Sequence, residues 1–298
     1  MTSGADTLRR VAPGAVDALD AVVGALWAAA AASGTTAIVA LAAERSARLL
    51  GLDPLRPTGR HATVAGWDGD VGTVLDFATQ CTLDVASVTD EQRAGFLAAT
   101  GPLAGELAAA LWVVDVLPRT RAALDALFGD GSWPDPTADD VPGGLWGALD
   151  GVVRVVPALD ALDPVTSELV RLRGARQHDC RLCRSLRSRS ALRAGATDED
   201  FAAVDHYAES DLSPLARASL ALVDAMVWTP GHLDPAVVGA LQAAATPAQQ
   251  VEVVLDVTRN ALNKVAVALA ADAAHVEDGV EIYDIEPDGS LVYGLDPD

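Results

Sequence analysis

The sequence predicts an all-α protein with a short β tail, on three observations. Half of its 298 residues are hydrophobic but only 4% are aromatic, so the core is built mainly from Ala, Leu and Val; Ala and Leu are strong helix formers, and Ala lets helices approach closely. Apolar residues recur at helical spacing through most of the chain. The final stretch, "EDGVEIYDIEPDGSLVYGLDPD" (277–298), breaks that pattern. Its segments "VEIYDIE" and "SLVYGL" alternate or are β-rich, and Pro287-Asp288-Gly289 between them is a turn signal, so a C-terminal hairpin is expected.

The first long apolar segment, 21–43, carries no charge and could be mistaken for a membrane span. It is rich in Ala rather than Leu or Ile, and "SGTT" (33–36) interrupts it. Asp6, Asp17 and Asp20 precede it, which is wrong for a signal peptide. It reads as two buried helices with a break at Ser33-Gly34. Helical periodicity then recurs in "GTVLDFATQCTLDVA", "DEQRAGFLAATG", "GELAAALWVVDVLPRTRAALDALFG", "LARASLALVDAMVW", "DPAVVGALQAAA" and "PAQQVEVVLDVTRNALNKVAVALAADAA". Thr89, Ser213 and Thr246 are the expected caps, the last two followed by Pro at the first helical position.

"FGDGSWPDPTADDVPGG" (128–144), with its prolines, glycines and acids, reads as a linker between halves. The halves also show a weak internal repeat: "ERSARLLG" ends at Gly51 and "SRSALRAG" at Gly195, 144 residues later, and Asp90 and Asp234 open similar helices at the same offset. The expected organisation is therefore a helical unit over 1–129, a linker over 130–145, a second helical unit over 146–275 and a hairpin tail over 276–298. The offset sets Thr36 against Cys180, Val39 against Cys183 and Gly24 against Glu168, so the polar centre belongs to the second unit.

A net charge of −21 disfavours phosphate backbones and anionic lipid heads, so neither nucleic acid nor a membrane surface is an expected partner. Three cysteines in a chain this long are no disulfide framework, and a cytoplasmic protein is the simpler reading. Two of the three stand three residues apart in "ARQHDCRLCRSLRSR" (175–189), among arginines. A helix starting at Cys180, capped by Asp179, would set both thiols in its first turn, where free N–H groups and nearby arginines lower thiol pKa. A reactive dithiol, a pair of inert buried thiols and a metal site all use this residue pattern. Zinc is the weakest of these, because His178, Cys180 and Cys183 supply three of the four ligands a structural site needs. Cys81, alone in an apolar helix, is expected in the core.

The segments "ELVRLRGARQHDCRLCRSLRSRSALRAG", "LSPLARASLALVDAM" and "VEVVLDVTRNALNKVAVALA", over about 160–272, resemble the carboxymuconolactone decarboxylase superfamily. Its AhpD-like alkylhydroperoxidase branch is the closest, with the pattern E-(11 residues)-C-x-x-C-x-x-x-H on an all-helical fold. Glu168, Cys180 and Cys183 match that pattern. The relay histidine does not: Arg187 stands in its place, and arginine cannot shuttle a proton near neutral pH. The resemblance implies two AhpD-like units, the first degenerate, and a thiol-dependent oxidoreductase needing no bound cofactor or metal. Cys180 and Cys183 would cycle between dithiol and disulfide, with a peroxide or a disulfide as substrate and a reduced thiol as electron donor. Glu168 would take or supply the thiol proton, although a salt bridge to Arg171 is its plainer reading. Arg187 would hold the thiolate from one helical turn away, with His178 and His206 as supporting histidines. Homo-oligomers follow by the same analogy. Two rival readings are a non-redox decarboxylase-like or isomerase-like enzyme and a scaffold that kept the fold without catalysis.

Overall fold

The structure is a computed structural model and describes residues 3–57, 67, 69–133, 135 and 141–297. The first half runs through α1 (Gly4–Val11), α2 (Pro13–Ala32), α3 (Thr36–Leu50), α4 (Val71–Asp84), α5 (Asp90–Thr100) and α6 (Ala104–Phe128). The second half opens with α7 (Gly144–Val155), α8 (Pro164–Gln177), the single turn α9 (Arg181–Arg184) and strand β1 (Leu186–Ser188). It continues through α10 (Arg189–Arg193), α11 (Asp198–Ala203), α12 (Pro214–Trp228), α13 (Pro235–Ala244), α14 (Pro247–Asn260) and α15 (Asn263–Ala268), and ends in β2 (Glu281–Ile285) and β3 (Leu291–Tyr293). The protein is thus mainly helical with a C-terminal hairpin. Part of the expected linker, residue 134 and residues 136–140, lies outside the described residues.

The local signals act where the sequence puts them. Thr89 and Thr246 each form a capping box with the glutamine three residues on, and the Ser213 hydroxyl accepts from the Ala216 N–H at 3.1 Å. The break after α2 falls at Ser33, whose hydroxyl donates to the Ala29 carbonyl, and at Gly34 with φ +71°. Among the described residues two stretches, Pro13–Ala32 and Asp90–Phe128, are long and apolar enough to cross a membrane. Packing accounts for the apolarity of both: α2 lies along α7 and buries Val22, Leu26 and Trp27, while α6 is buried on nearly every side.

The core is centred on α6 and α14, which touch through a hydroxyl hydrogen bond between Thr120 and Thr258 at 2.7 Å. One charge cluster inside it is paired. Asp115 on α6 receives Arg119 at 2.8 Å and also Lys264 of α15, while Arg119 donates to the Thr82 and Met226 carbonyls at the ends of α4 and α12. That network ties three helix ends to one buried carboxylate in the middle of α6.

At the 144-residue offset, α4 maps onto 215–228, where α12 is Pro214–Trp228, and α5 maps onto 234–244, where α13 is Pro235–Ala244. The departure is at α3. Its counterpart span, 180–194, is expected as helix but divides into α9, β1 and α10. The chain leaves the helix because β1 pairs in parallel with β2, Leu186 facing Glu281 and Ser188 facing Tyr283, and β2 pairs antiparallel with β3. Ser188 then restarts the helix as the cap of α10.

The hairpin turn is seated on α7. Arg154 donates to the Asp288 carbonyl at 3.1 Å, and Gly289, at φ +82°, lies so close that a Cβ there would stand 2.5 Å from the Arg154 Cα. We expect Gly289→Ala to cost roughly 1–2 kcal/mol from the left-handed backbone alone, with the contact adding to it. Hydrogen exchange should then accelerate in β2 and β3 while α6 keeps its protection; unchanged exchange in the hairpin would show that the turn is not what seats it.

Candidate active site

The chain between α8 and α9 turns through Asp179, a non-glycine residue at φ +49°, and delivers Cys180 to the start of α9. Asp179 is not the cap. It is exposed and pairs with Arg184, and the cap is Cys180 itself, whose sulfur accepts from the Cys183 N–H at 3.3 Å. The other early N–H groups of α9 are also used: Arg181 N donates to the Asp272 carboxylate at 2.9 Å, and Leu182 N donates to the Asp272 carbonyl at 2.9 Å. Asp272 also pairs with the Arg181 guanidinium at 2.7 Å. A one-turn helix whose N–H groups are already bonded to an acid offers the thiols little positive dipole.

Stabilisation comes from elsewhere. The Cys180 and Cys183 sulfurs are 2.6 Å apart, Cys180 buried and Cys183 partly so. The Asn263 side chain, at the start of α15, donates to the Cys183 sulfur at 3.1 Å. The Cys183 thiol is brought down to about 7, chiefly by the hydrogen bond from Cys180, against the opposing effect of burial, with help from the Arg171 charge and Asn263. Cys180, as the donor in that pair and deeply buried, is pushed up. The two thiols are therefore pushed in opposite directions, Cys183 down and Cys180 up, which makes Cys183 the more acidic of the pair.

His178 stands behind this pair. Its Nδ1 is 3.3 Å from the Asn263 carbonyl oxygen. Burial, followed by the Lys264 charge, lowers its pKa to about 3, so the ring is neutral at pH 7 and does not exchange protons there. A neutral ring with Nδ1–H donating to Asn263 fixes the amide so that its NH2 points at Cys183.

Glu168 is buried at 3% exposure and its acceptor positions are filled. Arg171 grips it with Nε at 2.6 Å and Nη2 at 2.7 Å, Ser188 N donates at 3.1 Å, and the Tyr283 hydroxyl of β2 donates at 3.0 Å. Arg171 also donates to the Cys183 carbonyl at 2.7 Å and the Leu186 carbonyl at 2.9 Å. Burial works against its charge, and Glu168 more than offsets that. One ion pair thus connects α8, the dithiol segment, β1 and the hairpin. Among the described contacts Glu168 makes no hydrogen bond to either sulfur.

Two expected supporting residues lie apart from the pair. Arg187 is not a helical turn beyond Cys183, because β1 has replaced the helix. Its guanidinium lies over the Phe201 ring at 5.1 Å and donates to the Arg184 and Leu186 carbonyls. The positive charge near Cys183 is that of Arg171. His206 is exposed in a 3-10 turn after α11, with no described contact to the thiols. Cys81, expected in the core, is partly buried and packs against it, and desolvation pushes its pKa up to about 12. Sequence reasoning missed Asn263, Asp272 and Tyr283, which reach the site from 80 to 115 residues away in sequence. A polar residue inside the apolar run "ALNKVAVALA" was the only local signal for Asn263. Among the described residues no cluster of three His, Cys, Asp or Glu is placed to hold a metal ion.

Residues 145–225, which carry Glu168 and both cysteines, match the carboxymuconolactone decarboxylase family. Two relatives, uncharacterized proteins of Mycobacterium tuberculosis strains CDC 1551 and H37Rv, are each 40% identical to this chain over 232 residues, covering 74% of it and 80% of their own length. The chain belongs to the carboxymuconolactone decarboxylase family. No solved structure matches it. In this family member the matched segment ends within α12, so Asn263, Asp272 and the hairpin that complete the dithiol site lie beyond it.

We expect Asn263→Leu to raise the Cys183 pKa by roughly 1–2 units, the equivalent of one hydrogen bond to a charged group. The rate of iodoacetamide alkylation against pH measures this. Arg187→Ala should leave the same profile unchanged; a rise there matching that of Asn263→Leu would return the arginine to the site.

Proposed function

We propose that this protein is a thiol-dependent oxidoreductase in which Cys183 is the attacking thiolate and Cys180 the resolving thiol. The observation that carries this is the direct contact of the Cys183 and Cys180 sulfurs, with the Asn263 amide donating to Cys183, in a segment of the family's matched region. With a hydroperoxide, the Cys183 thiolate attacks the terminal oxygen and the O–O bond breaks. The alcohol leaves after taking a proton, and Cys183 becomes a sulfenic acid. The Cys180 sulfur then displaces hydroxide from Cys183, its own proton completing a water molecule, and the S–S bond forms. A reduced dithiol partner restores both thiols and is itself oxidised to a disulfide. No bound cofactor enters this cycle.

The part-buried Cys183 under the hairpin favours a small peroxide over a protein disulfide as the oxidant. His178 and Asn263 act as a positioning pair, because His178 remains neutral. Glu168 acts through Arg171 and Tyr283 rather than as a proton acceptor for a thiol. The expected relay position, Arg187, takes no part, so the proton for the departing alkoxide comes from solvent, and turnover is slow. The same reading includes two helical units of common origin, 1–129 and 146–275, with the hairpin over 276–298 belonging functionally to the second. It also includes a cytoplasmic location and a homo-oligomeric assembly.

Thiol mass spectrometry after addition of cumene hydroperoxide tests the cycle. In the wild type, the peptide with both cysteines should lose two hydrogens and peroxide should be consumed stoichiometrically. Cys180→Ser should accumulate a dimedone-reactive sulfenic acid at Cys183, and Cys183→Ser should be inert. Two free thiols and untouched peroxide would exclude the cycle and favour a family member that keeps the fold without redox chemistry.

A further inference from the structure

Glu168 and Arg171 also line a cavity of about 410 Å³ whose walls do not include either cysteine. That is within the range of small-molecule sites. Its walls are α8, α14, the loop over 156–162 and β2. Helix α14 turns Glu252 and Asp256, four residues apart and so on one face, into this space, with Arg259 beyond them.

We propose that this cavity binds a small organic cation, an amine, whose ammonium is received by Asp256 and Glu252. Asp256 is 9% exposed, and its Oδ2 is buried with no hydrogen-bond partner. An acceptor left in that state costs free energy unless something supplies a donor. Glu252 is anchored for the same purpose: its Oε2 accepts from Ala161 N at 2.7 Å and Leu162 N at 3.2 Å, which fixes the carboxylate against the loop.

The charge inventory decides the sign of the ligand. Glu168 is neutralised by Arg171, and Asp284 by Arg189 at 2.9 Å. Arg259 donates to the Val153 carbonyl at 3.1 Å and forms no ion pair with Asp256 or Glu252 among the described contacts. Asp160, Glu252 and Asp256 therefore outnumber the one cation left to face them. The donors do not converge as a metal cage would. An ammonium, with up to three N–H donors on a carbon chain, suits two carboxylates one helical turn apart in a space this large. Burial, then the Glu252 charge, holds the Asp256 carboxyl up at about 7, against the opposing effects of the Arg259 charge and a hydrogen bond from Ser167.

The proposal does not depend on the redox reading, and its test keeps the two apart. Cadaverine, 1,5-pentanediol and glutarate, matched in length, are titrated calorimetrically into the purified full chain. Saturable binding is expected for cadaverine alone, weakened roughly 10-fold or more by Asp256→Asn and by Glu252→Gln, and unchanged in the Cys180→Ser, Cys183→Ser double variant. Hydrogen exchange on the wild type should show cadaverine protecting α14 and the 156–162 loop, a readout that does not require either acid variant to fold. Absence of saturable cadaverine binding up to about 10 mM, equal binding of the diol or the diacid, or protection elsewhere in the chain would each overturn the proposal.

Discussion

The buried pair of Glu168 and Arg171 is the constraint on which the rest of the site depends. Removing a carboxylate and a guanidinium from water costs several kcal/mol for each ion, and proximity alone does not offset that. The cost is met here because every strong acceptor position of Glu168 is filled, by the fork of Arg171, by the Ser188 N–H and by the Tyr283 hydroxyl. Arg171 in turn spends its remaining donors on the Cys183 and Leu186 carbonyls. The pair is therefore fully satisfied in its buried setting only when the dithiol segment has left the helix, β1 has formed and the hairpin has docked. Conversely, a chain that assembles it has fixed the backbone on both sides of Cys183.

The same interaction sets the electrostatics of the thiols. Arg171 supplies positive charge to Cys183 while Asp272, on the other side, opposes it; Asn263 and the Cys180 thiol tip the balance towards a thiolate. This differs from activation by a helix dipole, since the free N–H groups of α9 are occupied by Asp272. It also differs from a proton relay, since His178 is neutral and Glu168 is fully engaged. The donors around Cys183 are fixed by the fold, in the manner of a preorganised site.

The helices were legible because their signals are local. Capping boxes at Thr89 and Thr246, the Ser33-Gly34 break and the turn at Pro287-Asp288-Gly289 each depend on residues within a few positions of one another. The dithiol was legible from its spacing, and Glu168 from the pattern of the family that the segment resembles. The route of the chain after Cys183 was not. "SLRSRSALR" has helical composition, and what draws it into a strand is the edge of β2, about 95 residues later in sequence. That strand carried Arg187 away from the thiols to the Phe201 ring, and it brought Tyr283 in. Asn263 escaped notice for a related reason: its partner atoms belong to His178 and Cys183, and no pattern within α15 announces them.

The central claim is that fixed donors, with Arg171 among them, make the Cys183 thiolate, and that Glu168 does not act as its base. Glu168→Gln tests this most directly, in protein whose circular dichroism remains native, by the pH dependence of Cys183 alkylation. Removing the counter-charge of Arg171 leaves more positive potential at the sulfur, so the apparent pKa should stay near about 7 or fall, with alkylation at neutral pH undiminished. An apparent pKa rising to the ordinary thiol value of about 8.5, with a matching loss of rate at pH 7, would show that the carboxylate takes the thiol proton and would contradict the account.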